Sequence, residues 1–149
     1  MRDASVPGYK STIDGSQQGM KISRVSQNAA FNVSNGKARH AYSRIQAWNF
    51  NETLIDVGGK IIDAETFAIV RNYIPFSSAR NWSQTNPDFM YGIYYGPEAN
   101  RFGRYNVQTD ELVELHHFSS YDTCNIGEFE GHITEDDTKV VIYCRSGSN

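Results

Sequence analysis

The chain has 149 residues, of which 39% are hydrophobic and 13% aromatic, so it can bury the core of one ordinary domain and is not expected to be disordered. Its formal charge of −3 includes no long basic or acidic run, which argues against a nucleic-acid partner held through phosphate contacts. No apolar run approaches the roughly 18 residues of a membrane span, and the N-terminus lacks the pattern of a signal peptide. We therefore expect a soluble chain with no membrane span.

The first 39 residues predict a polar N-terminal arm with one short strand. Residues 1–20 are rich in Ser, Gly and Gln, and KISRVS, residues 21–26, is a short alternating segment with Ile22 and Val25 as its apolar members. The Asn- and Gly-containing stretch that follows, as far as Arg39, indicates a loop. A second domain is predicted to span residues 40–149.

From residue 42 onward the chain predicts short strands separated by turns that contain Gly, Asn, Asp and Pro. The layout occurs twice, and the matched pieces are Trp48-Asn49 with Trp82-Ser83, Leu54 with Phe89, and IDAET with YNVQT. These pieces are 34, 35 and 43 residues apart, so the second copy contains an insertion of about eight residues around GPEAN, residues 96–100. A third copy, in which Val140 aligns with Leu54, stops after its second strand.

Each full copy predicts four short antiparallel strands. Repeats of about 40 residues with four strands are typical of β-propeller blades, which stack on their neighbours because one blade cannot bury both of its faces alone. The predicted fold is therefore all-β, with about two and a half propeller blades at residues 42–74, 77–118 and 124–145. We call these segments the first, second and third copies.

A Trp, a small polar residue and an Asx-rich turn before an apolar strand resemble the W-S-P-D-G repeat of TolB-like propellers, a WD-repeat-like arrangement. Here the motif appears as WNFNET, WSQTNPD and ITEDDT. HAYSRIQAWNFNETLI, residues 40–55, also resembles the N-terminal blades of oligogalacturonate-lyase-like propellers, whose blades face an acidic sugar. The resemblance covers about residues 40–145.

Because such propellers have six or seven blades, the resemblance implies that the chain is the N-terminal piece of a longer protein. It would suit a periplasmic or secreted location. Further blades or self-association are the expected partners. The His and Gln metal cluster of the lyases has no counterpart in this sequence, and no metal or cofactor is expected.

In blades of this type the first strand lines the central channel, near the face where substrates enter. The resemblance places the following candidates there: His40, Tyr42, Arg44, Gln46, Arg80, Glu128, Glu130 and His132. The arginines could hold a carboxylate or a sugar hydroxyl, and Tyr42 or a His could transfer a proton. The alternative interpretation is a hydrated channel lining without a ligand.

Aromatic residues supply the other candidates. Tyr94 and Tyr95 lead into the GPEAN insertion, where an inserted aromatic loop could contact carbohydrate. Trp48 and Trp82 occupy matched places in the repeat and are predicted to pack between blades. Two function classes stay open: a ligand- or partner-binding scaffold with no catalytic site of its own, or part of a lyase that acts on acidic oligosaccharides.

Cys124 and Cys144 are predicted to be free thiols. If residues 134–138 form a hairpin turn centred on Asp136, Cys144 lies opposite Glu128, four residues from Cys124. At roughly 3.3 Å per residue that separation is about 13 Å, beyond the reach of a disulfide. Free thiols would fit a reducing compartment.

Asn32, Asn51 and Asn81 each begin an N-x-S/T triplet. Such triplets are common by chance, and they act as glycosylation acceptors only in a eukaryotic secreted protein.

Overall fold

The computed structural model describes Gly8 and residues 10–15, 20–25, 46–126 and 133–147. The chain divides into two units, Met1–Arg39 and His40–Asn149. In the first unit, β1 (Thr12–Gly15) and β2 (Met20–Ser23) form an antiparallel hairpin. The sequence predicted one strand here, at residues 21–26. It missed β1 because TIDG has a single large apolar residue and no alternation.

Antiparallel sheets form the second unit. The strands are β3 (Leu54–Val57), β4 (Lys60–Asp63), β5 (Ile69–Arg71), β6 (Phe76–Trp82), β7 (Phe89–Tyr94), β8 (Arg101–Asn106), β9 (Glu111–His117), β10 (Thr123–Ile126) and β11 (Ile142–Arg145). β3–β5 and β6–β9 are sheets in chain order, and β10 pairs with β11. The described residues contain no α-helix, only a short 3₁₀ turn at Gly96–Glu98. The all-β prediction is confirmed for this part of the chain.

Residues 47–49 add a fourth extended segment to the sheet of β3–β5. Trp48 forms an antiparallel bridge with Ile55. On either side of it, the Asp56 N–H donates to the Ala47 carbonyl at 2.8 Å and the Asn49 N–H donates to the Leu54 carbonyl at 3.1 Å. The first copy therefore has four extended segments in the same nearest-neighbour order as β6–β9 in the second copy.

The two full copies also share a turn between their third and fourth segments. The side-chain oxygens of Asp63 and Asn106 each accept the N–H groups of the residues two and three positions later. Phe67 and Asp110, each four positions further on, have φ of 55° and 65° and donate their N–H to the carbonyls of Asp63 and Asn106. The alignment of IDAET with YNVQT thus corresponds to one repeated turn.

The eight extra residues of the second copy lie in its second and third strands and in the connection between them. β7 and β8 have six residues each, whereas β3 and β4 have four. Two glycines with positive φ, Gly58 and Gly59, connect β3 to β4, and this tight turn needs residues that adopt such angles without steric cost. The six-residue connection at 95–100 replaces it in the second copy. Longer strands and a longer loop together account for the insertion.

Strands β6 to β8 carry buried residues on both faces of their sheet, whereas β9 is largely exposed. Met90 and Tyr105 belong to one buried cluster, which also contains Ile61 of the first copy. Ile93 and Phe102 belong to a second cluster together with Cys124, Ile126 and partly buried residues of β11. Since alternate residues of a strand point to opposite faces, the sheet has one apolar face against each neighbouring copy.

Cys124 and Cys144 form a disulfide, so the prediction of two free thiols is wrong. The two cysteines are directly paired across β10 and β11. The prediction extended one register from the turn, and the bridge observed near the turn, between Ile133 and Val140, is shifted by one residue from it. Six residues separate Ile126 from Ile133, but only one separates Val140 from Ile142, so the two ladders differ in register by five residues.

In the third copy, the residue equivalent to Leu54 lies one position earlier than predicted. Its bridge between Ile133 and Val140 corresponds to the bridge between Trp48 and Ile55. The Thr134 N–H donates to the Lys139 carbonyl at 2.9 Å, as the Asn49 N–H does to the Leu54 carbonyl. Lys139, and not Val140, is therefore the counterpart of Leu54.

Candidate functional site

The small polar residue after each Trp joins one copy to the next. Asn49 accepts the Leu54 N–H at 2.9 Å through Oδ1, and its Nδ2 donates to the Pro87 carbonyl, in the second copy's first turn, at 3.0 Å. Ser83, its counterpart, donates a short hydrogen bond to Asp137 in the first turn of the third copy. Both side chains are almost completely buried. The motif residue is therefore hydrogen-bonded to the turn of the following copy, and Asn49 is also hydrogen-bonded within its own hairpin.

Asp137 receives three hydrogen bonds from the second copy. Besides Ser83, the Gln84 N–H donates to its Oδ1 at 2.8 Å and the Thr85 hydroxyl donates to its Oδ2 at 2.7 Å. Hydrogen bonds to a carboxylate are stronger than those between neutral groups. Asp137 therefore links the first turn of the third copy to residues 83–85 at the end of the first strand of the second copy.

A buried ion pair joins the first two copies. Arg80 Nε donates to Asp56 Oδ2 at 2.7 Å and Nη2 donates to Oδ1 at 2.9 Å, while Nη1 donates to the Ser77 carbonyl at 3.1 Å. Both side chains are 5% exposed. The prediction that Arg80 faces a ligand in an open channel is not supported, because its guanidinium is buried and occupied within the protein.

A cavity of about 250 Å³ lies where the first-strand segments of the three copies meet. Its lining residues are Gln46 from the first copy, Asn81, Trp82 and Gln84 from the second, and Ile133 from the third. A larger depression of about 360 Å³ is lined only by residues 134–139 of a single hairpin turn, so it does not lie between two copies. The smaller cavity is the candidate functional site, because only the assembly of copies creates it.

Three carboxamides give this cavity its chemistry. Gln46 and Gln84 each bring a carbonyl acceptor and an NH₂ donor without net charge to the lining, and the buried Asn81 adds a third carboxamide to the wall. Gln84 Nε2 donates to the Trp82 carbonyl at 3.1 Å, which positions the amide. Such a lining suits ligands whose own groups both donate and accept, as hydroxyl and amide groups do.

The two tryptophans have different environments. Trp82 is 2% exposed and its indole Nε1 donates to the Ala47 carbonyl at 3.0 Å, so it packs between copies as predicted. Trp48 is 39% exposed, and the packing prediction does not extend to it.

Of the predicted site residues that the structure describes, only Gln46 lines the cavity. Tyr94 is buried against Phe76, and burial, followed by the carboxylates of Glu114 and Glu98, raises the pKa of its hydroxyl. It is therefore not presented to a ligand. Tyr95 is 70% exposed at the end of β7 and stays a candidate for carbohydrate contact. The remaining predicted residues lie outside the described residues: His40, Tyr42, Arg44, Glu128, Glu130 and His132.

Sequence reasoning overlooked Asn81, Gln84 and Asp137. The repeat itself carried a signal for them, because Asn81 and Gln84 flank the Trp82-Ser83 motif and Asp137 lies in the equivalent turn of the third copy. What the repeat could not show was that the ends of neighbouring copies meet around one cavity.

Among the described residues, no three His, Cys, Asp or Glu side chains come together as a metal site. No helix in the described segments has the length and apolar character needed to cross a bilayer. Comparisons with protein-family models, curated proteins and solved structures found no match for this chain.

Proposed function

We propose that residues 40–149 are successive blades of a TolB-like β-propeller that serves as a binding scaffold. The observation that carries the proposal is the repeated joint between copies. Asn49 bonds to the turn of the second copy and Ser83 to the turn of the third, from the same motif position. Successive units that interlock in one direction are what stacked blades require.

The cavity between the first-strand segments is the proposed ligand site. Gln46 and Gln84 supply paired donors and acceptors, so we propose a neutral, hydroxyl-rich ligand such as an oligosaccharide. An acidic sugar would need a cation. Arg80, the predicted cationic residue that lies among the described residues, is held by Asp56.

A titration of the full chain with neutral oligosaccharides, followed by NMR of the side-chain amides, tests this proposal. We expect the amide signals of the three lining residues to shift saturably, and Gln46→Ala to weaken binding. Gln108→Ala is the matched control, since Gln108 is an exposed amide away from the cavity. Binding that is equally affected by both substitutions, or no binding in a broad oligosaccharide panel, would overturn the ligand assignment.

The lyase alternative has no observation in its favour within the described residues. It is tested by incubating the full chain with oligogalacturonate and following the absorbance of an unsaturated product. Appearance of that product would replace the scaffold by an enzyme, whereas its absence together with saturable binding supports the scaffold.

A further inference from the structure

Two of the three N-x-S/T triplets lie in the described part of the chain, and their environments differ. Asn81 is 7% exposed on β6, inside the joint between copies. Asn51, Glu52 and Thr53 are all exposed, in the turn that precedes β3. A bulky glycan fits only on an exposed asparagine, so the fold can carry one on Asn51 and cannot carry one on Asn81.

The Asn51 triplet has a defined local geometry. The Thr53 hydroxyl donates to Asn51 Oδ1 at 2.7 Å, and Thr53 Oγ1 accepts a hydrogen bond from Asn49 Nδ2 at 3.1 Å. Asn51 Nδ2 makes no hydrogen bond to any described residue. The hydroxyl thus binds the carboxamide oxygen, while the nitrogen is left exposed in the turn.

The turn itself does not require an amide at this position. In the third copy, Asp136 Oδ1 accepts the Thr138 hydroxyl at 2.7 Å, the same bond between residues two apart. A carboxylate oxygen therefore accepts this hydrogen bond as a carboxamide oxygen does. What Asn51 adds is a nitrogen nucleophile.

The disulfide supplies an independent observation about the environment of the chain. Cys124 and Cys144 are bonded, and disulfides form and persist in oxidising compartments such as the secretory pathway. Protein N-glycosylation on N-x-S/T triplets takes place in secreted proteins. We propose that Asn51 is an N-glycosylation site of this protein and that Asn81 is not.

In the reaction, Asn51 Nδ2 forms a bond to the anomeric carbon of an oligosaccharide carried on a polyisoprenyl diphosphate. The bond between that carbon and the diphosphate oxygen breaks, the diphosphate leaves with the electron pair, and the amide gives up one proton to a base of the transferring enzyme. No oxidant or reductant takes part. The proposal is independent of the binding function of the cavity.

Glycopeptide mass spectrometry of the protein isolated from its own source tests the assignment directly. We expect the peptide containing Asn51 to carry a hexose- and N-acetylhexosamine-containing mass that peptide N-glycosidase removes, with conversion of Asn51 to Asp. The Asn81 peptide should be unmodified. An unmodified Asn51 in the disulfide-bonded protein, or a glycan on Asn81, would overturn the proposal.

Variants of the full chain secreted from a eukaryotic cell separate the acceptor from the turn. Asn51→Asp keeps the acceptor oxygen, as in the Asp136 turn, and should abolish the glycan while giving the same melting temperature as the parent chain produced without glycosylation, which retains Asn51. Thr53→Ser should retain glycosylation and Thr53→Val should lose it. Loss in both Thr53 variants, or a glycan that persists in Asn51→Asp, contradicts the assignment.

Discussion

The two joints between copies are built from different interactions. The first copy meets the second through the buried ion pair of Asp56 and Arg80 and one large apolar cluster. The second meets the third through Asp137, a smaller apolar cluster and the strand pair that the disulfide links. Among the polar contacts of the described residues, the one that occurs at both joints is the motif contact after the Trp. The repeat therefore preserves the hydrogen bond that sets the spacing of copies, while the side chains that stabilise each joint vary.

The largest expected effect is at the first joint. Asp56→Ala would leave the Arg80 guanidinium buried without its carboxylate, and breaking a buried pair in this way typically costs about 3–5 kcal/mol. Urea denaturation should show a correspondingly lower free energy of unfolding. Glu98→Ala is the control, because its ion pair with Arg101 is exposed and should contribute little. Similar losses in both variants would mean that burial does not distinguish the two pairs.

At the second joint, removal of the disulfide should destabilise the protein by roughly 3 kcal/mol. The bond closes a segment in which the cysteines are 20 residues apart, and closing a loop of that size reduces the entropy of the unfolded chain. The double substitution Cys124→Ala, Cys144→Ala should lower the urea midpoint, and reducing agent should lower that of the parent but not of the variant. A parent midpoint that is indifferent to reduction would contradict this expectation.

Asp137→Ala should cost about 1–3 kcal/mol, since it leaves partly buried donors of the second copy without their acceptor. Glu135→Ala is the matched control, because Glu135 is an exposed carboxylate in the same turn. Hydrogen exchange should speed up at the Gln84 amide in the first variant only. Equal exchange in both variants would show that Asp137 does not hold this joint.

The smallest effect concerns pH at the turn of the third copy. Hydrogen bonds from the Thr134 hydroxyl, then from the Thr138 hydroxyl and N–H, lower the pKa of Asp136 to about 2. The ordinary Asp value is about 3.9, so the stabilisation by this carboxylate is present above that pH and is lost as pH falls toward 2. Carboxyl NMR titration should show this pKa, and Thr134→Val should raise it more than Thr138→Val. An unchanged titration in Thr134→Val would refute the assigned cause.

Most strand positions and turns were predictable from local pattern. β3 to β5 and β7 to β9 fall within the strands expected from the pattern, whereas β6 begins at Phe76, three residues before the strand expected at residues 79–83. Alternating apolar residues and Gly, Asn or Asp breaks act over a few neighbouring residues, which is why these strands were visible. The matched turns at Asp63 and Asn106 were visible for the same reason.

The candidate site was much less predictable. Arg80 belongs to a first strand as expected, but its carboxylate partner is 24 residues earlier, in another copy. Tyr94 lies beside the predicted loop, but the packing of Phe76 buries it. Sequence spacing shows which residues share a strand, and it does not show which side chains meet across two sheets.

The amino-acid sequence by itself determined that this protein is all-β, with two full copies of a four-segment unit and a shorter third. Those features depend on local alternation and turn chemistry. Tertiary structure alone decided the bond between Cys124 and Cys144, the burial of Arg80 on Asp56, and the meeting of three carboxamides around one cavity. Each of these depends on strand register or sheet packing between distant residues, because a register shift of a few residues changes every cross-strand partner.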